Sequence, residues 1–250
     1  MSTDMFFTKE GLDQCLKALA KEFRKLNGKT MPAEIILIGG ASILANYGFR
    51  AMTYDVDAVI QASSTMKEAI NHVGDALGLP NGWLNSDFTQ TKSYSPKLIE
   101  YSVYYETFSN VVTVRTVSGE YLIAMKLMSG RQYKNDISDI VGILREQREK
   151  GKPISFEQID TAVCNLYDGW HQMPPEAKPL IESVLKSDNL EQLYQLVCSE
   201  EKASKGALVD FEKRYPGATN EDNVDDVLRK LNAKKETSRQ KSKGHDEMER

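Results

Sequence analysis

Two aspartates separated by one valine, Asp55 and Asp57 in TYDVDAVI, follow shortly after two adjacent glycines, Gly39 and Gly40, in IILIGGASILANYG. On a strand, residues i and i+2 share a face with Cα atoms about 6.5–7 Å apart. From that separation two carboxylates can hold one hard cation such as Mg2+. Without a cation they repel each other and lose hydration beside a sheet core. A strand that turns at Gly39-Gly40 straight into a helix offers free backbone N–H groups and the positive end of a helix dipole, which suits a triphosphate. Ser42 adds a hydroxyl to that cradle. Carboxylates for a metal and amides for phosphate together describe nucleotide chemistry, in which a divalent cation bridges phosphate oxygens and the attacking group. Each half has a plainer reading, because D-x-D also marks solvated strand ends and G-G also marks simple turns. The glycines fit neither G-x-G-x-x-G nor G-K-[ST], which disfavours a dinucleotide fold and a P-loop.

The elements that must position these residues follow from periodicity. TKEGLDQCLKALAKEFRKL carries an apolar stripe at Leu12, Cys15, Leu16, Leu19 and Phe23, with Thr8 as N-cap and Gly28 as stop, which predicts a helix. AEIILIGG predicts a buried strand and ASILANYG a short helix ended by Gly48. In TYDVDAVI the alternation places Asp55, Asp57 and Val59 on one face and Val56, Ala58 and Ile60 on the other. A helix capped by Ser63 or Ser64 follows, then two strand-like runs, KLIEYSVYYE and NVVTVRTV. Two helices, SGEYLIAMKLMSGR and KNDISDIVGILREQREKG, meet at Gly130. After KGKP every apolar segment reads as helix. The expected fold class is therefore α/β (α+β): a small mixed β-sheet core flanked by helices over residues 1–152, a helical C-terminal region over 153–232, and a disordered tail over 233–250.

The chain has 250 residues, 27% of them charged, and a net charge of −4, a balance that argues against a uniformly basic nucleic-acid coat and leaves room for a local basic groove. Cys15, Cys164 and Cys198 are odd in number and widely spaced, so neither a disulfide framework nor a zinc site is indicated. The N-terminus lacks a signal peptide's charged and apolar regions and no run is long enough to span a bilayer, so the expectation is a cytoplasmic protein with no membrane partner.

IGGASILANYGFRAMTYDVDAVI resembles the opening signature of the polymerase-β-like nucleotidyltransferase superfamily, a hydrophobic residue and G-[GS] followed after a short helix by D-h-D. More narrowly it resembles the AbiEii/AbiGii-type branch, whose R-x-x-T-x-D-h-D is matched by Arg50, Thr53, Asp55 and Asp57. LPNGWLN and GEYLIAMKLMSGRQYKNDISDI are similar to later blocks of the same branch, with Asn135 inserted between Lys134 and Asp136 of its K-D pair. The resemblance covers about residues 30–150.

It implies a Mg2+-dependent transfer of NMP from an NTP to a hydroxyl of RNA, tRNA-like in form, or of protein. Asp55 and Asp57 would hold the metal, and Gly39, Gly40, Ser42, Arg50 and Thr53 would surround the nucleotide. Lys126 would neutralise triphosphate charge and Asp136 would orient it, although a lysine snorkelling from LIAMKLM is the plainer reading. The third carboxylate usual in the superfamily is open among Asp87, Glu100 and Glu106, with Asp87 preferred. Basic residues from Lys126 to Lys152 suit an anionic acceptor. The branch includes toxins of toxin–antitoxin and phage-defence systems, which implies an antitoxin partner. The alternative is an inactive nucleotide-binding or protein-interaction module on the same fold.

Overall fold

Thr8 caps the first helix as its spacing predicts: its hydroxyl accepts from the Gly11 N–H at 3.1 Å. The structure is a computed structural model and describes residues 6–29, 31–131, 134–220, 223–224 and 226–231. Helix α1 spans Lys9–Asn27 and ends at Gly28, and its stripe of Leu12, Leu16, Leu19 and Phe23 is fully buried. At roughly 1.5–3 kcal/mol per fully buried side chain, that stripe anchors the helix in the core it shares with α3 and one face of the sheet. Strand β1 (Ala33–Leu37) leads into α2 (Gly39–Asn46), followed by β2 (Val56–Gln61), α3 (Thr65–Leu77) and a two-residue strand β3 (Leu84–Asn85).

Beyond β3 lie β4 (Ser102–Phe108), β5 (Val112–Val117), α4 (Gly119–Ser129) and α5 (Asp136–Glu149). Helices α6 (Phe156–Tyr167), α7 (Ala177–Leu185) and α8 (Leu190–Arg214) complete the named elements, and residues 226–231 are helical. The proposed tail over 233–250 lies outside the described residues.

The five strands form one mixed sheet in the order β3-β2-β1-β5-β4. β1 is antiparallel to β2 and parallel to β5, β3 runs parallel to β2, and β4 is antiparallel to β5. The expected small mixed sheet with flanking helices and a helical C-terminal region is the observed architecture. Two local expectations differ. Residues 97–99 of the predicted strand KLIEYSVYYE belong to a 3-10 turn that starts at the preceding Pro96, and β4 begins only at Ser102. β3 escapes periodicity because two residues carry no period.

One face of the sheet packs on α1 and α3 through Ile35, Leu37, Val56, Ala58 and Val114. The other packs on α4 and α5 through Ile36, Ile38, Val59 and Val117, as the alternation of β2 requires. Ile159 and Val163 of α6, Ile181 of α7 and Leu190 of α8 belong to that second cluster. The shift to helix after Pro153 therefore lies within a shared core. Among the described residues no helix is long and apolar enough to cross a membrane.

Candidate active site

The Ile38 N–H donates to the Asp57 carbonyl at 2.9 Å, so pairing of β1 with β2 sets the start of α2 against the second aspartate. Gly39 takes φ +52°, and a Cβ there would lie 3.9 Å from Asp57 Oδ2. The glycine both makes the turn and leaves space between carboxylate and helix N-terminus. The Gly39, Gly40 and Ala41 N–H groups precede the first internal bond of α2, donated by Ser42 to the Ile38 carbonyl at 3.2 Å. Asp55, inside the predicted strand, sits one residue before the observed β2 and is exposed, while Asp57 is half-buried. The Thr53 hydroxyl donates to the Asp55 carbonyl at 3.1 Å and reaches its Oδ1 at 3.4 Å. Thr53 is itself fixed by a bridge to Phe7.

Burial, then the Asp55 charge, raises the Asp57 pKa, while Lys134 and Arg131 pull it down and Asp87 pushes it up. Neither Asp55 nor Asp57 has an ion-pair partner among the described residues. β3 places Asn85 opposite Asp57, and Asp87 follows two residues on with its N–H bonded to Asn85 Oδ1 at 2.9 Å. Glu106 lies on β4, with β5 and β1 between it and β2, and Glu100 ends the turn preceding β4. Of the three candidate third acids, only Asp87 follows a strand paired with β2. No group of three or more His, Cys, Asp or Glu side chains is arranged to hold a metal among the described residues.

Beside the acids lies a buried ion-pair cluster. Lys126 Nζ of α4 contacts Asp136 Oδ1 at 2.6 Å and Asp139 Oδ2 at 2.9 Å. Arg50 Nη1 grips both oxygens of Asp139 at 2.8 and 2.7 Å, and Arg131 Nε meets Asp136 Oδ2 at 3.1 Å. Burial alone would raise the Asp136 pKa, but Lys126 and Arg131 outweigh it and hold the carboxyl at about 2. Burial opposes charge on Lys126 too, and Asp139 and Asp136 together keep its pKa raised. Both partners are therefore held charged.

Residues 14–168 match a family described as nucleotidyltransferase of unknown function, DUF6036. The chain belongs to this nucleotidyltransferase family. No curated protein and no solved structure matches it.

Within the nucleotidyltransferase core two expected contacts fall elsewhere. Ser42 is fully buried: the Val117 N–H donates to its hydroxyl at 2.9 Å, so the side chain ties α2 to β5 and is turned away from any phosphate. Arg50, expected beside the nucleotide, is committed to Asp139 instead. Its guanidinium still borders the glycine turn, since a Cβ on Gly40 would lie 3.0 Å from Arg50 Nη2 and 2.6 Å from Thr53 Oγ1. Gly40→Ala should push Thr53 off Asp55 and cost about 1–3 kcal/mol of stability, read as a lower Tm.

Asp139 lies outside the residues to which the resemblance gives a role, yet it is 3% exposed and central to the cluster. Its signal was the i, i+3 spacing from Asp136 on a helix whose next residues are apolar. Glu201 of α8 gave no local signal. The basic run is largely neutralised: Arg145 pairs with Glu191 at 2.6 Å and Lys150 with Glu146 at 2.6 Å. Lys134, which bears on Asp57, has no carboxylate partner among the described residues. Neither the surface hollow walled by Glu182 and Leu193 nor that walled by Asn71 and Trp83 has Asp55 or Asp57 in its lining.

Proposed function

We propose that the chain is a Mg2+-dependent nucleotidyltransferase of the AbiEii/AbiGii type, moving an NMP from an NTP to a hydroxyl of RNA, tRNA-like in form, or of protein. The observation that carries this is the Asp55/Asp57 pair: neighbouring carboxylates, without an ion-pair partner among the described residues, set against the first N–H groups of a helix. The donor set fits Mg2+, which characteristically takes one or two carboxylates and leaves its other positions to water and substrate phosphates. When bound, it supplies Lewis-acid stabilisation of charge on the phosphate oxygens and activation of the attacking oxygen.

The chain's own residues do the rest. Asp55 and Asp57 hold the metal, and Thr53 orients Asp55. The amides of Gly39 and Gly40 receive phosphate, and Arg131 and Lys134 add positive charge on that side. Lys126, clamped by Asp136 and Asp139, contributes a fixed field. The acceptor hydroxyl oxygen forms a bond to the α-phosphorus as the α–β anhydride bond breaks, its proton leaves to solvent, and pyrophosphate departs with the bonding pair. A role as the toxin of a cytoplasmic toxin–antitoxin or phage-defence system, with an antitoxin partner, belongs to this reading.

A second reading, an inactive nucleotide- or protein-binding module, is favoured by the two-carboxylate donor set among the described residues. Incubation with Mg2+, each of four α-32P NTPs, and total RNA or protein separates the two. Label in one acceptor class, absent from an Asp55→Ala/Asp57→Ala control, is the expected result and names the acceptor. Mg2+-dependent NTP binding without label supports the module, and absence of both removes the nucleotide reading.

A further inference from the structure

α8 lies beyond residues 14–168, the extent of the family match, yet it reaches the candidate site at two points. At the first, Glu201 Oε1 accepts the Ile137 N–H at 3.0 Å and the Ser138 N–H at 3.1 Å. These amides belong to the opening turn of α5, where the N-cap Asn135 contributes no side-chain hydrogen bond. A carboxylate from a distant helix thus does the work that a capping residue normally does locally. Glu201 is 6% exposed; burial raises its carboxyl pKa, and its bonds to these amides offset part of the cost of burying its charge. One helical turn on, Lys205 Nζ lies 5.8 Å from the ring centroid of Tyr54, the residue between Thr53 and Asp55.

We infer that Glu201 is a positioning residue of the nucleotidyltransferase site, an inference that rests on the reading given above. The two amides it holds lie between the carboxylate residues of the ion-pair cluster, Asp136 immediately before and Asp139 immediately after. Asp136 in turn fixes Lys126 and Arg131, and Asp139 fixes Lys126 and Arg50. Glu201 therefore sets where the first turn of α5 stands, and through it where the cationic side of the site stands. The C-terminal helical region is then part of the catalytic unit, and a nucleotidyltransferase cut at the end of the family match lacks this support.

The test uses the full chain with Glu201→Ala and Glu201→Gln. Loss of a cap worth one tenfold step in an opening equilibrium predicts roughly tenfold faster hydrogen exchange in the first turn of α5 for Glu201→Ala. Binding of Mg2+ with a non-transferable α,β-methylene NTP should weaken by a similar factor. Mn2+ binding at Asp55 and Asp57, measured alone, should be unchanged. Glu201→Gln keeps a carbonyl that can accept both amides, so it should recover most of the nucleotide affinity, and it decides the matter if Glu201→Ala does not fold. Nucleotide affinity unchanged in both variants overturns the positioning role, and so does an equal loss of Mn2+ binding, which marks general loosening. If the unaltered chain binds no NTP, the proposed function fails, and the 15N signal of the Lys126 ammonium judges the inference. Its loss in Glu201→Ala supports positioning, and its persistence overturns it.

Discussion

Asp57→Asn is expected to reduce nucleotidyl transfer on the order of a thousandfold or more while leaving the fold as stable as before, or slightly more stable. The two effects have one cause. Burial and then the neighbouring Asp55 charge raise the Asp57 pKa, so the folded chain disfavours the ionised carboxylate that metal binding requires. The sign follows from linkage: a carboxyl whose folded pKa lies above its unfolded value favours folding when protonated, and that advantage is lost as pH rises through the folded pKa. At neutral pH the ionised group opposes folding, and the neutral, isosteric amide removes the opposition. Loss of a metal ligand removes several kcal/mol of charge stabilisation at the transferring phosphate, and each 1.36 kcal/mol is about tenfold in rate. Thermal melts with and without Mg2+, beside the labelled-NTP assay, check both halves. Added Mg2+ should raise the Tm of the unaltered chain and leave Asp57→Asn unmoved. A variant that retains transfer, or that melts well below the unaltered chain, contradicts this account of the pair.

Asp136→Ala should have the opposite signature, a large loss of stability. Asp136 is 1% exposed and neutralises Lys126 and Arg131 at once. Removing one member of a buried ion pair typically costs about 3–5 kcal/mol, because the remaining charge stays desolvated. Lys126 keeps Asp139 as a partner, which places the expected loss near the lower figure, about 3 kcal/mol or roughly 10 °C in Tm for a chain of this size. The pH dependence supplies an independent check. The Asp136 carboxyl is lowered from 3.8 to about 2, so its contribution is present above the unfolded value and is lost as pH falls from about 4 to about 2. That limb is worth roughly 2 kcal/mol in the unaltered chain and should be missing from Asp136→Ala. Denaturant melts between pH 2 and 6 measure it, and parallel acid limbs in the two proteins would falsify the assignment.

Much of the molecule is legible in one dimension. The stripe from Leu12 to Phe23 dictates α1, the isoleucines before Gly39-Gly40 dictate β1 and its turn, and the alternation in β2 separates Asp57 and Val59 from Val56 and Ala58. These patterns are local: a helix or strand repeats every few residues, and the side chains that must be buried appear at that interval. The carboxylate pair and the glycine turn belong to the same class of signal, since both are short spacings along one segment.

The partners of the charged residues depended on the tertiary structure. Arg50 is 89 positions from Asp139, and Ser42 is 75 positions from the Val117 backbone it holds. Lys126 and Asp136 stand ten positions apart and are linked by resemblance, but Asp139, three residues on, is marked only by its burial. Asp87 gained its place because β3, too short for any period, aligns with β2. Pro153 marked where strands stop, while the core continues across it into α6, α7 and α8. Periodicity in the sequence determined which elements form and placed Asp55 and Asp57 after the Gly39-Gly40 turn. Only packing decided which charges meet, because an ion pair is selected by where helices and strands bring side chains together in a desolvated interior, and nothing in the local sequence of α5 announces that its amides end on Glu201.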